Sequence, residues 1–535
     1  MIRRSCLLML WLSLISGSSF AEKPKFNSDQ VVDRIVANER ALSETMRNYS
    51  PMVETYLQRM HPDPMLGFVP AEDRYFLGRV QFQQTKEEFF LDKRLVERMA
   101  GAFSKLYSLS PVGFSSMIFV DRNGFDRRNY QFRFMQREFL GEVRCLVFEV
   151  SPHKDQSSRF KGAIWVEDES YNIVRFNGSY GSFHIDSWRM NLRDRVWLPA
   201  VVYSEEFDSN KPQTHNPRLK AQTRLWGYNL APAGRQSEFS EITIDPNAAK
   251  DLSDNPDQSP LDIQRAWQRR AEDNVVAKLE ELGLVVPEGE VDKVLAMVIN
   301  NLEVTNKIEL DPEIRCRILA TTPIEVATIG HTILVSRGLL DALPNEAALA
   351  AILSHSLAHA ALGHELDTTF AFNDRMFVPT LKQLPLFDFK HTPEQESEAD
   401  ALGMKILANS PYKGNLGEAG LFLKALAKYS HKVPNLLKAN LGESLITDTR
   451  VSFMSAVAEA APALDLENPQ QIAALPLGSR VKLDPWAGQM KFVKARPPRI
   501  YSPKDKLALE VTPFSPYLIR LKTGGGNASG DLQSR

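Results

Sequence analysis

The sequence predicts an α+β chain of several domains, an antiparallel β domain first and a mainly helical domain after it. Two patterns lead to this reading. Between about 67 and 244 apolar residues recur with a period of two, as where Tyr130, Phe132 and Phe134 alternate with Gln131 and Arg133, the mark of half-buried strands. Between about 261 and 461 alanine and leucine dominate at helical spacing, and the stretch between the two regions is rich in Asp, Asn, Pro and Ser without periodic apolar residues. With 43% hydrophobic residues over 535 positions, the chain has material for two or more cored domains.

Arg3 and Arg4, the apolar run Leu7 to Ile15 and the small-x-small site Ser19-Phe20-Ala21 form a secretory signal over 1–21, with cleavage expected near Ala21. Its apolar core is too short to cross a bilayer, and no later run reaches the ~20 apolar residues a membrane helix needs, so no transmembrane segment is expected after cleavage. The expected location is periplasmic or secreted. Residues 22–65 are expected as an amphipathic helical lead-in, since Val32, Ile35, Leu42 and Met46 fall at helical spacing between Asp29 and about Gln58. The β domain covers 66–245. Ile118-Phe119-Val120 closed by the Asn123-Gly124 turn, Val143 with Cys145 and Val147, Ile164-Trp165-Val166 and Ile173-Val174-Arg175-Phe176 are its expected strands, arranged as a curved antiparallel sheet. A linker and helix follow at 246–285, the helical domain at 286–461, a C-terminal extension at 462–522 with strand-like runs such as Ala508-Leu509-Glu510-Val511, and a disordered Gly/Ser-rich tail at 523–535.

Removing Arg3 and Arg4 takes the net charge from −2 to −2 − 2 = −4, and no basic block is present to track phosphates, so nucleic acid is not expected as a partner. Of three cysteines, Cys6 leaves with the signal, and Cys145 and Cys316 do not make a disulfide scaffold in so long a chain.

Five of the ten histidines lie between 331 and 391, a clustering that favours a metal site. His355 and His359 stand four apart, on one face of a helix, where two imidazoles can grip one ion. Asn345 can cap that helix, and Leu349, Ile352, Leu353 and Leu357 supply its buried side. In zinc-peptidase helices a glutamate follows the first histidine and takes the proton from metal-bound water; here that position is Ser356. Downstream, Thr392-Pro393-Glu394-Gln395 reads as a capping box with proline at the first helical position, which sets Glu396 and Asp400 one turn apart on the same face. Glu396 can complete a His-His-Glu zinc triad, and Asp400 can orient a liganding histidine from behind.

Arg337-Gly338-Leu339-Leu340-Asp341, Glu346 to Leu353, His355 to His364 and Glu396-Ser397-Glu398-Ala399-Asp400-Ala401-Leu402-Gly403 together resemble the gluzincin zinc metallopeptidases of HtpX and CAAX-prenyl-protease type, over roughly Val291 to Met454. The resemblance is closer to their soluble periplasmic members, linked to outer-membrane protein quality control. It implies a gluzincin metallopeptidase-like fold, zinc as the cofactor with His355, His359 and Glu396 as its ligands, and a peptide or unfolded envelope protein as the partner. His364 is common in that family as a helix-end residue and is read as no ligand; His331 and His391 are read as surface or outer groups. The chain departs from the family pattern at Ser356, and again at Ser444, where the resemblance implies an oxyanion histidine; Arg450 remains as a remnant of the active site or a structural ion-pair partner. Ile324-Glu325-Val326 stands where the family has its substrate-binding edge strand. A hydroxyl is a very poor base near neutral pH, and a positioned general base is worth ~10²- to 10⁴-fold. The expectation is therefore a zinc-binding pseudopeptidase. One alternative is an active endopeptidase with Glu325 or Glu365 as substitute base. In the N-terminal half, Lys161 to Val166 followed by Tyr171 to Arg175 is similar to LolA-like domains, which leaves a lipid or lipoprotein carrier as the other.

Overall fold

The computed structural model describes residues 28–63, 67–82, 86–89, 117–122, 124–140, 143–153, 159–193, 196–207, 217–228, 260–343, 346–364, 389–417, 433–445, 481–484 and 489–492, with single positions between 420 and 426. The signal at 1–21, the linker at 246–259, Asn345, Glu365, Arg450, Ala508 to Val511 and the tail at 523–535 lie outside the described residues.

A long antiparallel sheet followed by a helical region bears out the α+β reading. Helix α1 (Ser28–Thr45) leads into β1 (Met52–Asp63) and β2 (Gly67–Gln81), with β3 (Lys86–Phe89) beside them; then come β4 (Tyr130–Leu140), β5 (Val143–Pro152), β6 (Lys161–Glu167), β7 (Ile173–Tyr180), β8 (Phe183–Arg193), β9 (Val196–Phe207) and β10 (Pro217–Trp226). Strands β4 to β10 follow one another as a meander, and β1 joins the far side of β10, giving the order β3-β2-β1-β10-β9-β8-β7-β6-β5-β4. Strands β4 to β7 are those expected from the alternation around Tyr130, Val143, Ile164 and Ile173.

Two expectations fail locally. The lead-in helix does not reach Gln58: it stops at Thr45, and the chain is strand from Met52. Pro51 disfavours helical geometry at the residue before it, and β1 has an apolar side chain on either face, Val53 and Leu57 on one, Met52 and Tyr56 on the other. Such a segment is a strand between two cores. Ile118-Phe119-Val120, expected as a strand, is none: Met117 to Val120 are buried at consecutive positions instead of alternate ones, and the Tyr180 hydroxyl donates to the carbonyls of Phe119 (2.8 Å) and Val120. The run packs on the inner face of the sheet together with Val31, Val32, Ile35 and Met46 at the helical lead-in, against Phe148, Phe176 and Ile185.

The second region comprises α2 (Pro260–Glu281), α3 (Glu290–Asn306), β11 (Arg315–Leu319), β12 (Glu325–Ile329), β13 (Thr332–Ser336), α4 (Arg337–Ala342), α5 (Glu346–Leu362), α6 (Pro393–Ala408), α7 (Pro434–Leu437) and β14 (Glu443–Ser444). Its sheet runs β11-β13-β12-β14, with β11 parallel and β12 antiparallel to β13. Helix α5 is buried at every position from Ala347 to Ala360, which its nearly unbroken run of Ala, Leu and Ile permits. From the C-terminal extension, β15 (Val481–Asp484) and β16 (Gln489–Phe492) form a hairpin. Cys145 and Cys316 are free, buried thiols, and burial pushes both up to about 12.

The outer face of β1, β2 and β10 docks on this region. Tyr56 joins its main core, and Met52 and Leu77 pack with Leu279, Leu319 and Leu334. The Glu54 carboxylate accepts from the Thr322 amide (2.6 Å) and hydroxyl (2.8 Å), from the Tyr75 hydroxyl (2.8 Å) and from Arg224 Nε (3.1 Å), while the Arg224 guanidinium also donates to the Ala320 carbonyl. Asp73 accepts from the amides of Asn435 (3.0 Å) and Leu436 (2.7 Å); burial raises its pKa against the pull of these donors. Glu54 is 1% exposed, so removing its carboxylate strands a buried guanidinium. Glu54→Ala is expected to lower stability by about 3–5 kcal/mol, read as a shift of the urea midpoint, whereas Glu44→Ala, at an exposed position of α1, should leave the stability within about 0.5 kcal/mol of the wild type.

Candidate metal centre

Helix α5 carries His355, Ser356 and His359 on its buried third and fourth turns. Helix α6 crosses it closely because Gly403 has no side chain: a Cβ there would stand 3.0 Å from the His355 Cα. The expected capping box starts α6, with the Thr392 hydroxyl accepting from the Gln395 amide (3.3 Å) and the Gln395 side chain accepting from the Thr392 amide (3.0 Å). Glu396 and Asp400 thereby face α5.

The structure brings together the residues read as ligands. His355 Nε2 lies 2.9 Å from His359 Nε2, and the two oxygens of Glu396 reach one nitrogen each, Oε2 lying 3.6 Å from that of His355 and Oε1 3.6 Å from that of His359. These donor atoms all lie within 4.8 Å of one another. A tetrahedral zinc ion with bonds of about 2.0–2.1 Å has donor-to-donor edges of about 3.3–3.4 Å, and the three separations straddle that value. A His-His-carboxylate set of this size fits zinc.

Each histidine is also held from behind. Asp400 Oδ1 lies 2.7 Å from His355 Nδ1, as expected for a carboxylate that fixes the tautomer and leaves Nε2 to the ion. His359 Nδ1 lies 3.0 Å from His364 Nδ1, and His364 Nε2 is 3.2 Å from Glu398. This role of His364 was not read from the sequence, although a signal for it exists. Gly363 adopts a left-handed φ of 66°, its amide donates to Ala360 O and that of His364 to His359 O, which is the Schellman ending of a helix. That ending sets the second residue after the cap against the one five positions back, so His-x-x-x-Gly-His encodes the pair. His391 was read as a surface or outer group; its side chain is fully buried, and its ring stacks on His359 at 3.8 Å between centroids and 25° between planes. His331 sits elsewhere, bonded through its amide to Glu272 of α2 (3.1 Å).

Ser356 is 1% exposed. Glu325, the described candidate for a substitute base, is held by backbone donors: one oxygen accepts from the amides of Asn440 (2.8 Å), Leu441 (2.9 Å) and Gly442 (3.2 Å), and the carboxyl, fully buried, is raised in pKa chiefly by desolvation. Its strand β12 pairs with β13 on one side and, at Glu325 and Val326, with β14 on the other; Ser444 lies directly across from Glu325. Asp400→Asn is expected to weaken zinc binding about 10- to 100-fold, measured by competition with a chromophoric chelator.

No curated protein sequence matches the chain. Among solved structures, an outer membrane lipoprotein-sorting protein domain from Vibrio parahaemolyticus is similar at 10% identity and a TM-score of 0.21, over 38% of this chain and 92% of that one. A DUF1329 family protein from Desulfovibrio piger matches at 10% identity and a TM-score of 0.20, over 38% and 94%, and a LolA superfamily protein from Nitrosomonas europaea at 11% and 0.20, over 37% and 91%. The family match starts in β12 and ends before Ser444 and Arg450, a shorter span than the expected Val291 to Met454. Over residues 326–431 the helical region carries a domain that matches Peptidase family M48.

Proposed function

We propose that this chain is an exported, zinc-binding metallopeptidase-like protein of the cell envelope whose hydrolytic machinery is impaired. The observation that carries the reading is the contrast along α5 and α6: the donor triad His355, His359 and Glu396 is gathered, while the position of the general base between the two histidines is a buried serine. His355, His359 and Glu396 hold the ion, and Asp400 and His364 orient the two imidazoles. Zinc, when bound at such a triad, supplies Lewis acidity toward a water or a carbonyl oxygen. Position 356, from which glutamate takes the proton in working peptidases, offers a hydroxyl in place of a carboxylate. One oxygen of Glu325 accepts from the turn at 440–442 and the other from the Thr321 hydroxyl, and its strand is paired with β14 at Glu325 and Val326 and with β13 from Val326 onward.

Export rests on the signal pattern at 1–21, and no helix among the described residues is long and apolar enough to cross a membrane. The partner class, a peptide or unfolded envelope protein, rests on the M48 match. Lipid carriage on the inner face of the sheet has less support, because Ile35, Met46, Ile118 and Val120 fill that face at 0% exposure.

The purified protein loaded with zinc is expected to hold one ion per chain and to leave unfolded casein uncut over hours, with no difference on adding 1,10-phenanthroline. Cleavage that the chelator abolishes would establish the active-endopeptidase alternative and sink the pseudopeptidase reading.

A further inference from the structure

The strand that ends the long sheet exposes apolar side chains where an edge ordinarily carries charge. Among the described residues β4 has a neighbour on one side only, β5, and it is 11 residues long, whereas β3 at the opposite end has four. A long edge presents a row of amides and carbonyls to any strand that can reach it, and short or charged edges prevent this. Met135 is 50% exposed and Phe139 67%, and with Phe134 they make up three of the six large apolar side chains exposed among the described residues. Exposed apolar area is thus concentrated on the longer edge. The pairing of β4 with β5 skips Met135: Phe134 stands opposite Phe148 and Gln136 opposite Val147. This bulge decides the faces. Before it, Phe132 shares a face with the inner-core residues Phe148 and Val150, and Arg133 shares the other with Glu149; after it, Phe139 returns to the inner face and Glu138 to that of Cys145.

We propose that β4 pairs antiparallel with β4 of a second copy of this chain, joining two sheets into one through a twofold axis at the bulge. Directly opposite residues of an antiparallel pair share a face. When a regular strand pairs with its own copy, only residues an even number of positions apart can meet; one bulge changes this to an odd number for residues on either side of it. The register that sets Phe132 opposite Phe139 of the second copy also sets Arg133 opposite Glu138 of that copy, and the twofold axis repeats each pair. Aromatic side chains then meet on the inner face and opposite charges on the outer one. A shift of two residues either way sets Arg133 opposite Gln136 or Leu140 and loses the ion pairs. Bonds within the chain leave room for the new ones. Arg133 directs Nε (2.7 Å) and Nη2 to Glu149 while its guanidinium carries further donors, and Glu138 receives the Trp165 indole (3.1 Å) and the Gln136 amide (3.3 Å) on a single oxygen. A bulge normally guards an edge, because a straight strand cannot follow it. An identical bulge can, which favours a second copy over an arbitrary extended segment.

The test follows self-association of the purified chain by sedimentation velocity over a wide range of concentration. The wild type is expected to form a dimer with a dissociation constant in the micromolar range, since one strand pair falls at the small end of specific interfaces. Arg133→Glu and Glu138→Arg should each weaken self-association by about 10-fold or more, because each variant sets like charges opposite one another. Both should keep the far-ultraviolet circular dichroism of the wild type. An equal mixture of the two variants should dimerise as the wild type does, since every pair across the axis is again of opposite charge. A role of either side chain within its own sheet alone would give no such rescue. A wild type that stays monomeric at every concentration would overturn the proposal, whether or not β4 captures an unrelated extended peptide. So would a dimer that both variants leave unchanged, or a mixture that stays monomeric.

Discussion

The candidate metal centre depends on the burial of α5 around its whole circumference. A helix that packs on every side has no freedom to rotate or slide, so the imidazoles of His355 and His359 are positioned by the core itself. Small residues make this possible. Alanines along α5 let neighbours approach, and Gly403 lets α6 come close enough for Glu396 and Asp400 to meet the two histidines. A side chain at 403 would push the helices apart along the line on which the donor separations are set.

The same logic of close approach joins the two regions. Strand β1 is buried on both faces because it belongs at once to the inner core of the long sheet and to the interface with the helical region. Glu54 at this interface is bonded from four sides, and the loop it holds, Ala320 to Thr322, runs directly into β12. The Asp73 carboxylate does the same for the start of α7. The β region thus props the elements that flank the metal centre, which gives the N-terminal half a mechanical part in the site as well as any binding role of its own. Buried carboxylates of this kind bear a desolvation penalty, offset by donors in good geometry on every lone pair they present.

Within the centre, polar groups are arranged in layers: the donor triad, then Asp400, His364 and Glu398 behind the imidazoles, with His391 stacked alongside. Around it, two positions that bear on the proposed lack of a base are both held in place. Ser356 is short and buried, and Glu325 is committed to the backbone of the segment at 440–442. The hydrogen-bonded groups behind the imidazoles fix the orientation of the candidate donors.

Much of this was legible from residue order alone, because the relevant spacings are local. The i, i+4 pair at His355 and His359, the capping box at Thr392 and the one-turn step from Glu396 to Asp400 follow from helix geometry, and the period-two runs from Tyr130 to Phe176 follow from the pleat. The end of α1 was misjudged since helical spacing of four residues did not reveal that Met52 onward is apolar on both faces, and Met117 to Val120 looked like a strand because a continuous apolar run has no period to tell pairing from plugging. The stacking of His391 on His359, the sequestering of Glu325 and the docking of Glu54 on Thr322 join residues 32 to 268 positions apart. By itself the sequence determined which residues can be donors and that a serine stands between the two histidines, since both are matters of side-chain identity and helical repeat. Only the tertiary structure decided which side chains surround those donors, because the packing of α5 against α6 and of one region against the other sets those distances, and no local period encodes them.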